Sequence, residues 1–360
     1  MMQTERVSSP ALPITPAEDP AATRARELNN RGALLHLEGK FDEARAEYEA
    51  ALSADPRNAT AVNNLGYLLA QQGRLDEAVE RYRQALELDP NKSMTFANLG
   101  VVQAALSQPA AALASLEQAV RLDSKNVLAW DNLARVQMAA GRFAAAESAW
   151  RSALDVAPAE GSLFTALGTI VAAQQRIDEA AAILQHAVSL EPESAKAWTQ
   201  LGVVLFLRQD LGSAAEALER GLELAPDDHD AREHLALVHL ACGRTAAAEQ
   251  ELERIVLRAA GTDPFYHAAQ IDLAVIALSR GDWQGALSRL DAVIEADPKN
   301  SRAIFYRATA LDHLDRSAEA NELMRELLGN DHGKYGDQAR LYLAKRNDDG
   351  RDDFAKASEN

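Results

Sequence analysis

Residues 61–66 read AVNNLG, and the same arrangement of an asparagine two residues before a small residue returns along the chain. It reads LNNRG at residues 28–32, FANLG at 96–100 and WDNLA at 130–134. The asparagines in this arrangement are spaced 34 residues apart and are Asn30, Asn64, Asn98 and Asn132. A fixed period of this length indicates a protein built from tandem copies of one small structural unit.

The period continues beyond the asparagines. With Ala25 as position 1, alanine occupies position 20 of nine successive repeats, and the spacing slips by four residues once, between Ala248 and Ala286. The nine alanines are Ala44, Ala78, Ala112, Ala146, Ala180, Ala214, Ala248, Ala286 and Ala320. Apolar or small residues at positions 4, 7, 8 and 11, and again at 17, 20, 24 and 27, predict two amphipathic helices per repeat. Glycine at position 15 and Asp-Pro near position 32 are typical helix ends.

These residues closely resemble the tetratricopeptide repeat (TPR), in which an aromatic residue, Leu-Gly, Ala and Pro stand at the same offsets. The resemblance covers residues 25–334. It implies an all-α fold, a right-handed α-solenoid (superhelix) of nine TPR helix hairpins with a C-terminal capping helix.

The departures from the period give the predicted boundaries. Four extra residues are close to one helical turn, so the stretch ELERIVLRAAGTDP at 251–264 is predicted to extend a helix. We predict a disordered N-terminal segment at 1–24, repeats 1–6 at 25–228, repeats 7–9 at 229–334 with the four-residue insertion near 256–264, a capping helix at 335–346, and a disordered acidic tail at 347–360.

Composition limits the classes of partner. The net charge of −17 argues against binding the phosphates of nucleic acid and against an anionic membrane surface. Cys242 is the single cysteine, so no intramolecular disulfide is possible, and no apolar run is long enough to span a membrane. We predict a cytoplasmic protein, and the abundance of arginine and alanine indicates a bacterial source.

The resemblance implies that the first helix of each hairpin lines a concave groove, with position 6 on the groove wall. Asn30, Asn64, Asn98 and Asn132 would then form a ladder similar to that of the repeat superhelix of O-linked N-acetylglucosamine transferase. An amide can pair with both the N–H and the C=O of an extended peptide. The alternative, that these asparagines are family consensus residues on a polar surface, stays open. Further peptide-binding residues are predicted on the same wall: Arg135, Lys196 and Gln200.

A second stretch of the predicted groove is apolar and belongs to repeats six to eight. Two interpretations are open: burial between helices, or an apolar groove for an amphipathic helix or another copy of the chain. The residues concerned are Val203, Phe206, Leu237, Leu240, Ile271 and Val275. In repeat nine, Arg302, Phe305 and Tyr306 could anchor a partner or pack under the capping helix.

The sequence does not predict an enzyme. The strongest cluster, HDAREHLALVHLAC at 229–242, places His234 and His239 five residues apart, which misses the i, i+4 geometry of a zinc-binding pair. His239 is predicted to face the core, with Cys242 one turn later. No catalytic residue, metal site or cofactor is predicted.

The predicted function is that of a protein–protein interaction adaptor or scaffold, which binds an extended peptide segment of a partner in the concave groove. Two alternatives remain open. One is a self-assembling homo-oligomeric scaffold, and the other is an accessory subunit of an envelope or secretion assembly. The identity of the partner does not follow from the residues.

Overall fold

A computed structural model describes residues 19–259, 263–331 and 333–357, with side chains as far as residue 345. Within these ranges the chain forms helices and no strand, which confirms the predicted all-α class. The helices are α1 (Pro20–Leu37), α2 (Phe41–Ala54), α3 (Ala59–Gln71), α4 (Leu75–Leu88), α5 (Ser93–Ala105), α6 (Pro109–Leu122), α7 (Val127–Ala139), α8 (Phe143–Val156), α9 (Gly161–Ala173), α10 (Ile177–Leu190), α11 (Ala195–Leu207), α12 (Leu211–Leu224), α13 (His229–Ala241), α14 (Thr245–Arg258), α15 (Pro264–Ser279), α16 (Trp283–Ala296), α17 (Ser301–His313), α18 (Ser317–Asn330) and α19 (Lys334–Ala357).

The chain divides into two compact units, unit 1 (Met1–Ile170) and unit 2 (Val171–Asn360). In unit 1, the pairs α1–α2, α3–α4, α5–α6 and α7–α8 pack as hairpins, and α2, α4 and α6 also pack on the first helix of the next hairpin. The first helices α1, α3, α5 and α7 contact one another in sequence. They therefore form one continuous surface of unit 1.

Unit 2 repeats this arrangement in the hairpins α11–α12, α13–α14, α15–α16 and α17–α18. Helix α19 packs against both α17 and α18 and covers the last hairpin, as expected of a capping helix. Hairpins that contact only the adjacent hairpins define an α-solenoid, here one of about nine repeats in the described part of the chain.

Each hairpin is held by a large side chain on its second helix and a small residue on its first. The alanines at position 20 are all fully buried, and position 24 carries large buried residues, among them Tyr48, Tyr82 and Trp150. A methyl group added at Gly100 would lie 2.6 Å from Leu116 Cγ, and one at Gly202 would meet the corresponding leucine in the same way. Glycine at position 8 is therefore required where the two helices approach most closely.

The turn that closes each first helix uses left-handed backbone at position 15. Five of these turns carry the predicted glycine, at 39, 73, 141, 243 and 281, with φ between 71° and 78°. The same conformation occurs at Ser107 (φ 58°), Gln175 (φ 64°), Gln209 (φ 66°) and Asp315 (φ 60°). The hairpin geometry thus imposes a positive φ even where no glycine is present.

The N-terminal boundary differs from the predicted one. Helix α1 begins at Pro20, and the Asp19 side chain caps it by accepting a hydrogen bond from the Ala21 N–H at 2.9 Å. Proline at the first helical position has no N–H to leave unpaired, so it favours a helix start here. Residues 20–24 are therefore helical, and residues 1–18 of the predicted disordered segment lie outside the described residues.

The inserted residues do not lengthen the second helix of repeat seven. Helix α14 has the same 14 residues as the other second helices in the described chain and ends at Arg258. The first helix of the next hairpin, α15, has 16 residues against 13 in α13 and α17. Helix α15 starts early because Asp263 and Pro264 form a helix start. The Asp263 side chain accepts a hydrogen bond from the Phe265 N–H, and Pro264 occupies the first helical position. Residues 260–262 of the insertion lie outside the described residues.

The capping helix is longer than the predicted 335–346. Helix α19 continues to Ala357, so the predicted disordered tail at 347–360 is helical as far as that residue. The added stretch contains no proline, and extending an existing helix costs far less than nucleating a new one. Residues 358–360 lie outside the described residues. Across the described ranges, none of the helices is both long and apolar enough to cross a membrane.

Candidate peptide-binding face

Asparagine side chains form a hydrogen-bonded chain across three first helices of unit 1. Asn98 on α5 donates from Nδ2 to Asn63 Oδ1 on α3 at 3.3 Å, and Asn63 donates to its neighbour Asn64 at 3.2 Å. Asn64 then donates to Asn29 Oδ1 on α1 at 3.0 Å. We call Asn29, Asn63, Asn64 and Asn98 the amide chain. These hydrogen bonds order the exposed surface of α1, α3 and α5. We call the exposed surface of α1, α3, α5 and α7 the first-helix face of unit 1.

Two members of the amide chain, Asn29 and Asn63, are absent from the predicted ladder. Their signal in the sequence is the asparagine doublet at 29–30 and again at 63–64. Asn29 is buried, whereas Asn63, Asn64 and Asn98 are half-buried and reach the surface. A primary amide has two N–H donors and two acceptor lone pairs, so each member keeps hydrogen-bonding capacity beyond the chain.

The other two predicted ladder residues stand apart. Asn30 is exposed on α1, and Asn132 is half-buried on α7. Neither is part of the amide chain, whose links run through position 5 as well as position 6. The structure therefore brings Asn64 and Asn98 together through Asn63 and separates them from Asn30 and Asn132.

Two clefts flank α5 on this face. The smaller cleft, between α3 and α5, has a volume of ≈ 210 Å³ and includes Asn63, Asn64 and Lys92 in its lining. The larger cleft, between α5 and α7, has a volume of ≈ 550 Å³. Its walls are mainly apolar, and they include the predicted site residues Asn132 and Arg135.

Exposed apolar side chains accompany the amides on the first-helix face of unit 1. Tyr67 and Met94 are both 46% exposed, Val101 is 42% exposed and Leu128 is 51% exposed. They occupy positions 2 and 9 of their repeats, beside position 6, so each lies within one or two helical turns of an asparagine on the same helix or an adjacent one. A surface that combines apolar side chains with ordered polar groups is typical of a binding site.

Arg135 is held in a defined orientation. Its Nε donates to Asp131 Oδ2 at 2.8 Å, and the other carboxylate oxygen of Asp131 accepts from Trp150 Nε1 at 2.8 Å. Trp150 is 1% exposed and belongs to the core. The buried indole therefore positions the carboxylate, and the carboxylate positions the guanidinium at the wall of the larger cleft.

The predicted site residues of unit 2 present a different surface. On α11, Lys196 is exposed and Gln200 is half-buried. Ile271 is 3% exposed within a core cluster of α15 and α16, so its side chain is not available to a partner. Leu240 and Val275 pack against core clusters from the surface side. The remaining predicted apolar residues are half-buried and are Val203, Phe206 and Leu237.

Carboxylates occupy part of the corresponding face in unit 2. Asp272 on α15 forms an ion pair with Arg302 on α17. Burial raises the pKa of Glu233, and the nearby Asp272 carboxylate raises it further. Burial also raises the pKa of Asp272, although the Arg302 guanidinium opposes this effect. These charged groups interrupt the predicted apolar groove.

The aromatic residues of repeat nine pack under the capping helix. The Phe305 ring lies 5.8 Å from that of Tyr335 on α19, and the Tyr306 ring lies 6.4 Å from the same residue. Phe305 and Tyr335 both pack against the core cluster of the last hairpin. The sequence left open whether these aromatic residues anchor a partner or pack under the capping helix. Their contacts are those of packing under α19.

The histidine cluster of α13 is dispersed. His239 is 8% exposed and faces the core as predicted, and its Nδ1 has no hydrogen-bond partner in the described part of the chain. Cys242 does not follow it into the core but is exposed at the C-cap of α13. His234 Nδ1 instead contacts the Asp230 carbonyl oxygen at 2.8 Å. Across residues 19–259, 263–331 and 333–345, no cluster of His, Cys, Asp and Glu has the arrangement of a metal site.

The buried ring of His239 predicts that stability depends on pH. Burial, assisted by the positive charge of Arg244, lowers the pKa of His239, whereas Glu251 and Glu219 act in the opposite direction. At pH values above the unfolded-state pKa of about 6.5, the ring is neutral in both the folded and the unfolded chain and contributes no pH dependence to stability. Below it the unfolded chain binds the proton first, so the free energy of unfolding falls by up to about 1.4 kcal/mol per pH unit until the folded-state pKa is reached.

We therefore expect a His239→Gln variant to lose less stability than the wild type between about pH 7 and about pH 5.5, measured by thermal unfolding. His186 is exposed on α10, so His186→Gln is the matched control and should keep the wild-type slope. An unchanged slope in His239→Gln would contradict the effect of burial on this ring.

Comparison with protein families agrees with the helical architecture. A family model described as "Cilia and flagella-associated protein 70 C-terminal domain" matches residues 8–237. Two models described as "Tetratricopeptide repeat" match residues 205–271 and 271–334. The chain is thus a tetratricopeptide-repeat protein. It belongs to the family of the Cilia and flagella-associated protein 70 C-terminal domain, whose model covers more than half of it.

Solved structures share the fold at low sequence identity. A chain of the APC/C hetero-tetramer Cut9-Hcn1 is 18% identical with a TM-score of 0.57, and the match covers 79% of this chain and 55% of that one. This chain thus spans little more than half the length of that relative. Pseudomonas aeruginosa pilF is 18% identical with a TM-score of 0.52, covering 61% of this chain and 100% of that one. No curated protein matches the sequence significantly.

Proposed function

We propose that the protein is an adaptor or scaffold whose first-helix face of unit 1 binds an extended segment of a partner protein. The observation that carries this proposal is the amide chain, which runs across α1, α3 and α5 with exposed apolar side chains beside it. Amides can bind the backbone of an extended peptide whatever its sequence, and apolar clefts can select its side chains. Membership of the tetratricopeptide-repeat family supports a role in protein binding.

Magnitudes indicate that the amides and the clefts must act together. Three accessible amides with two hydrogen bonds each contribute about 6 kcal/mol at about 1 kcal/mol per bond. Association costs about 4–15 kcal/mol, so the amides alone give little or no net affinity. Each buried apolar side chain adds about 1.5–3 kcal/mol, and the two clefts of unit 1 provide room for such side chains. The proposed partner segment therefore carries apolar residues at intervals along an extended backbone.

The proposed role is binding without a catalytic step, in the cytoplasm. Self-assembly through the predicted apolar groove of unit 2 has less support. Ile271 is buried, Leu240 and Val275 pack on the core, and the Asp272–Arg302 ion pair interrupts the face. The larger apolar side chains that remain exposed on first helices lie mainly in unit 1.

The test removes the three accessible amides together, as Asn63→Ala, Asn64→Ala and Asn98→Ala. Capture from a host lysate, read by mass spectrometry, should enrich partners with the wild type and lose them at least about 100-fold with the triple variant, because three or more hydrogen bonds are lost. Circular dichroism and thermal unfolding would confirm that the helices persist.

The matched control removes amides from second helices, as Gln84→Ala on α4 with Gln118→Ala on α6. This variant should capture the same partners as the wild type. If the triple variant also retained all of them, the amide chain would not bind the partner and the proposal would be wrong.

A further inference from the structure

We propose that the larger cleft of unit 1, between α5 and α7, binds an apolar side chain of the partner that stands next to an aspartate or glutamate, and that Arg135 binds this carboxylate. The inference rests on the proposed function, because the ligand is a peptide segment on the first-helix face of unit 1. It adds a residue class that the partner must contain.

The first argument is the orientation of the Arg135 guanidinium. Asp131 engages only the Nε of Arg135, at 2.8 Å, while its other oxygen is held by Trp150. A guanidinium has five N–H donors in one plane, so four remain on the two terminal nitrogens. Within the described residues no hydrogen bond uses those nitrogens, and the Arg135 side chain is 51% exposed. A positioned pair of terminal nitrogens is the group that binds a carboxylate through two parallel hydrogen bonds.

The second argument is the chemistry of the cleft beside this guanidinium. Its volume of ≈ 550 Å³ is within the range of ligand-binding pockets and exceeds the needs of one side chain. The apolar part of the wall comes from Val101, Ala104, Val136 and Ala139, and Arg135 is its charged member. An apolar wall with one cation at its edge fits an apolar side chain followed by an acidic one.

The third argument concerns the net charge of the chain. A charge of −17 disfavours an acidic ligand at long range. At physiological salt, however, interactions between exposed charges are screened beyond about 8 Å. A charge-assisted hydrogen bond made in direct contact is screened much less and changes affinity by about 10- to 100-fold. The local guanidinium therefore outweighs the distant carboxylates for a ligand seated in the cleft.

The experiment selects peptides from a random peptide display library on the folded full chain. We expect the enriched sequences to share Leu, Ile, Met or Phe next to Asp or Glu. A synthetic peptide of the enriched sequence should bind the wild type and lose affinity at least about 30-fold with Arg135→Glu, because attraction becomes repulsion. Ala139→Trp should also weaken binding, because residue 139 is exposed and the new ring fills the cleft.

The matched control is Arg45→Glu on α2. Arg45 pairs with Glu49 at i, i+4 with an Nε–oxygen distance of 2.9 Å, as Arg135 pairs with Asp131, but it does not line the cleft. This variant should bind the peptide as the wild type does. Circular dichroism would verify that all three variants are folded.

Three results would overturn the inference, and they are distinguishable. Enriched peptides without an acidic residue, or equal binding of the peptide by Arg135→Glu and Arg45→Glu, would refute the role of Arg135. If the Asn63, Asn64 and Asn98 triple variant nevertheless lost binding of the enriched peptide, the proposed function would still stand. Selection that enriches no peptide on the wild type would refute the proposed function together with the inference.

Discussion

Replacing Trp150 with alanine is expected to lower the free energy of unfolding by about 3–5 kcal/mol, the usual cost of truncating a fully buried aromatic side chain. Trp150 is 1% exposed and occupies position 24, the position of the large buried side chain in each hairpin. Its indole N–H is also bonded to Asp131 at 2.8 Å, so truncation leaves a carboxylate oxygen without its donor. Chemical denaturation followed by circular dichroism measures the loss without depending on tryptophan fluorescence.

Two further variants separate packing from the hydrogen bond. Trp150→Phe keeps most of the apolar volume and removes only the N–H donor, so it should cost clearly less than the alanine variant. Trp130→Ala serves as the control, because Trp130 is half-buried and its N–H bonds the Ser124 carbonyl oxygen at 2.9 Å. A loss of less than about 1 kcal/mol for Trp150→Ala would mean that this side chain does not fill the core of its hairpin.

Replacing Glu251 with leucine in unit 2 is expected to have a comparable effect, a loss of about 3–5 kcal/mol. The Glu251 side chain is 10% exposed and that of Arg232 is 7% exposed, with a nitrogen–oxygen distance of 2.7 Å between them. Without Glu251 the Arg232 guanidinium remains buried without its carboxylate partner, which is the costly state for a buried ion pair. Arg254, the second partner of Glu251, is 56% exposed and can turn to solvent.

The decisive comparison is the double variant Arg232→Met with Glu251→Leu. Because it removes both charges, it should recover most of the stability that Glu251→Leu loses. Urea denaturation of the two single variants and the double variant gives the coupling free energy. If the double variant were no more stable than Glu251→Leu, the loss would come from packing and not from the uncompensated charge.

The helices and their pairing could be predicted from the sequence. A 34-residue period repeats the same burial pattern many times, so an atypical residue in one repeat does not mislead the prediction for that position. The alanines at position 20, which are all fully buried, show this consistency. Ends were less predictable, because a helix start depends on single residues. Asp19 with Pro20 and Asp263 with Pro264 each begin a helix earlier than the repeat alone indicates.

The candidate site was predictable in part. The period places Asn64, Asn98, Asn132 and Arg135 on first helices of unit 1, but it does not reveal which amides hydrogen-bond to one another. That pairing depends on distances between helices, which brought Asn29 and Asn63 into the amide chain. Burial of Ile271 in unit 2 did not follow from the apolar pattern either, because an apolar residue on a first helix is compatible both with packing between helices and with exposure in a groove.

The left-handed turns at position 15 also indicate how the chain can be engineered. A residue other than glycine pays about 1 kcal/mol to hold this conformation, and Gln175, Gln209 and Asp315 do so at positions where five sister repeats use glycine. Replacing any of these three residues with glycine is expected to raise the free energy of unfolding, and none of them lines either cleft of unit 1. A protein engineer could therefore strengthen the scaffold at its turns while leaving the proposed ligand specificity untouched.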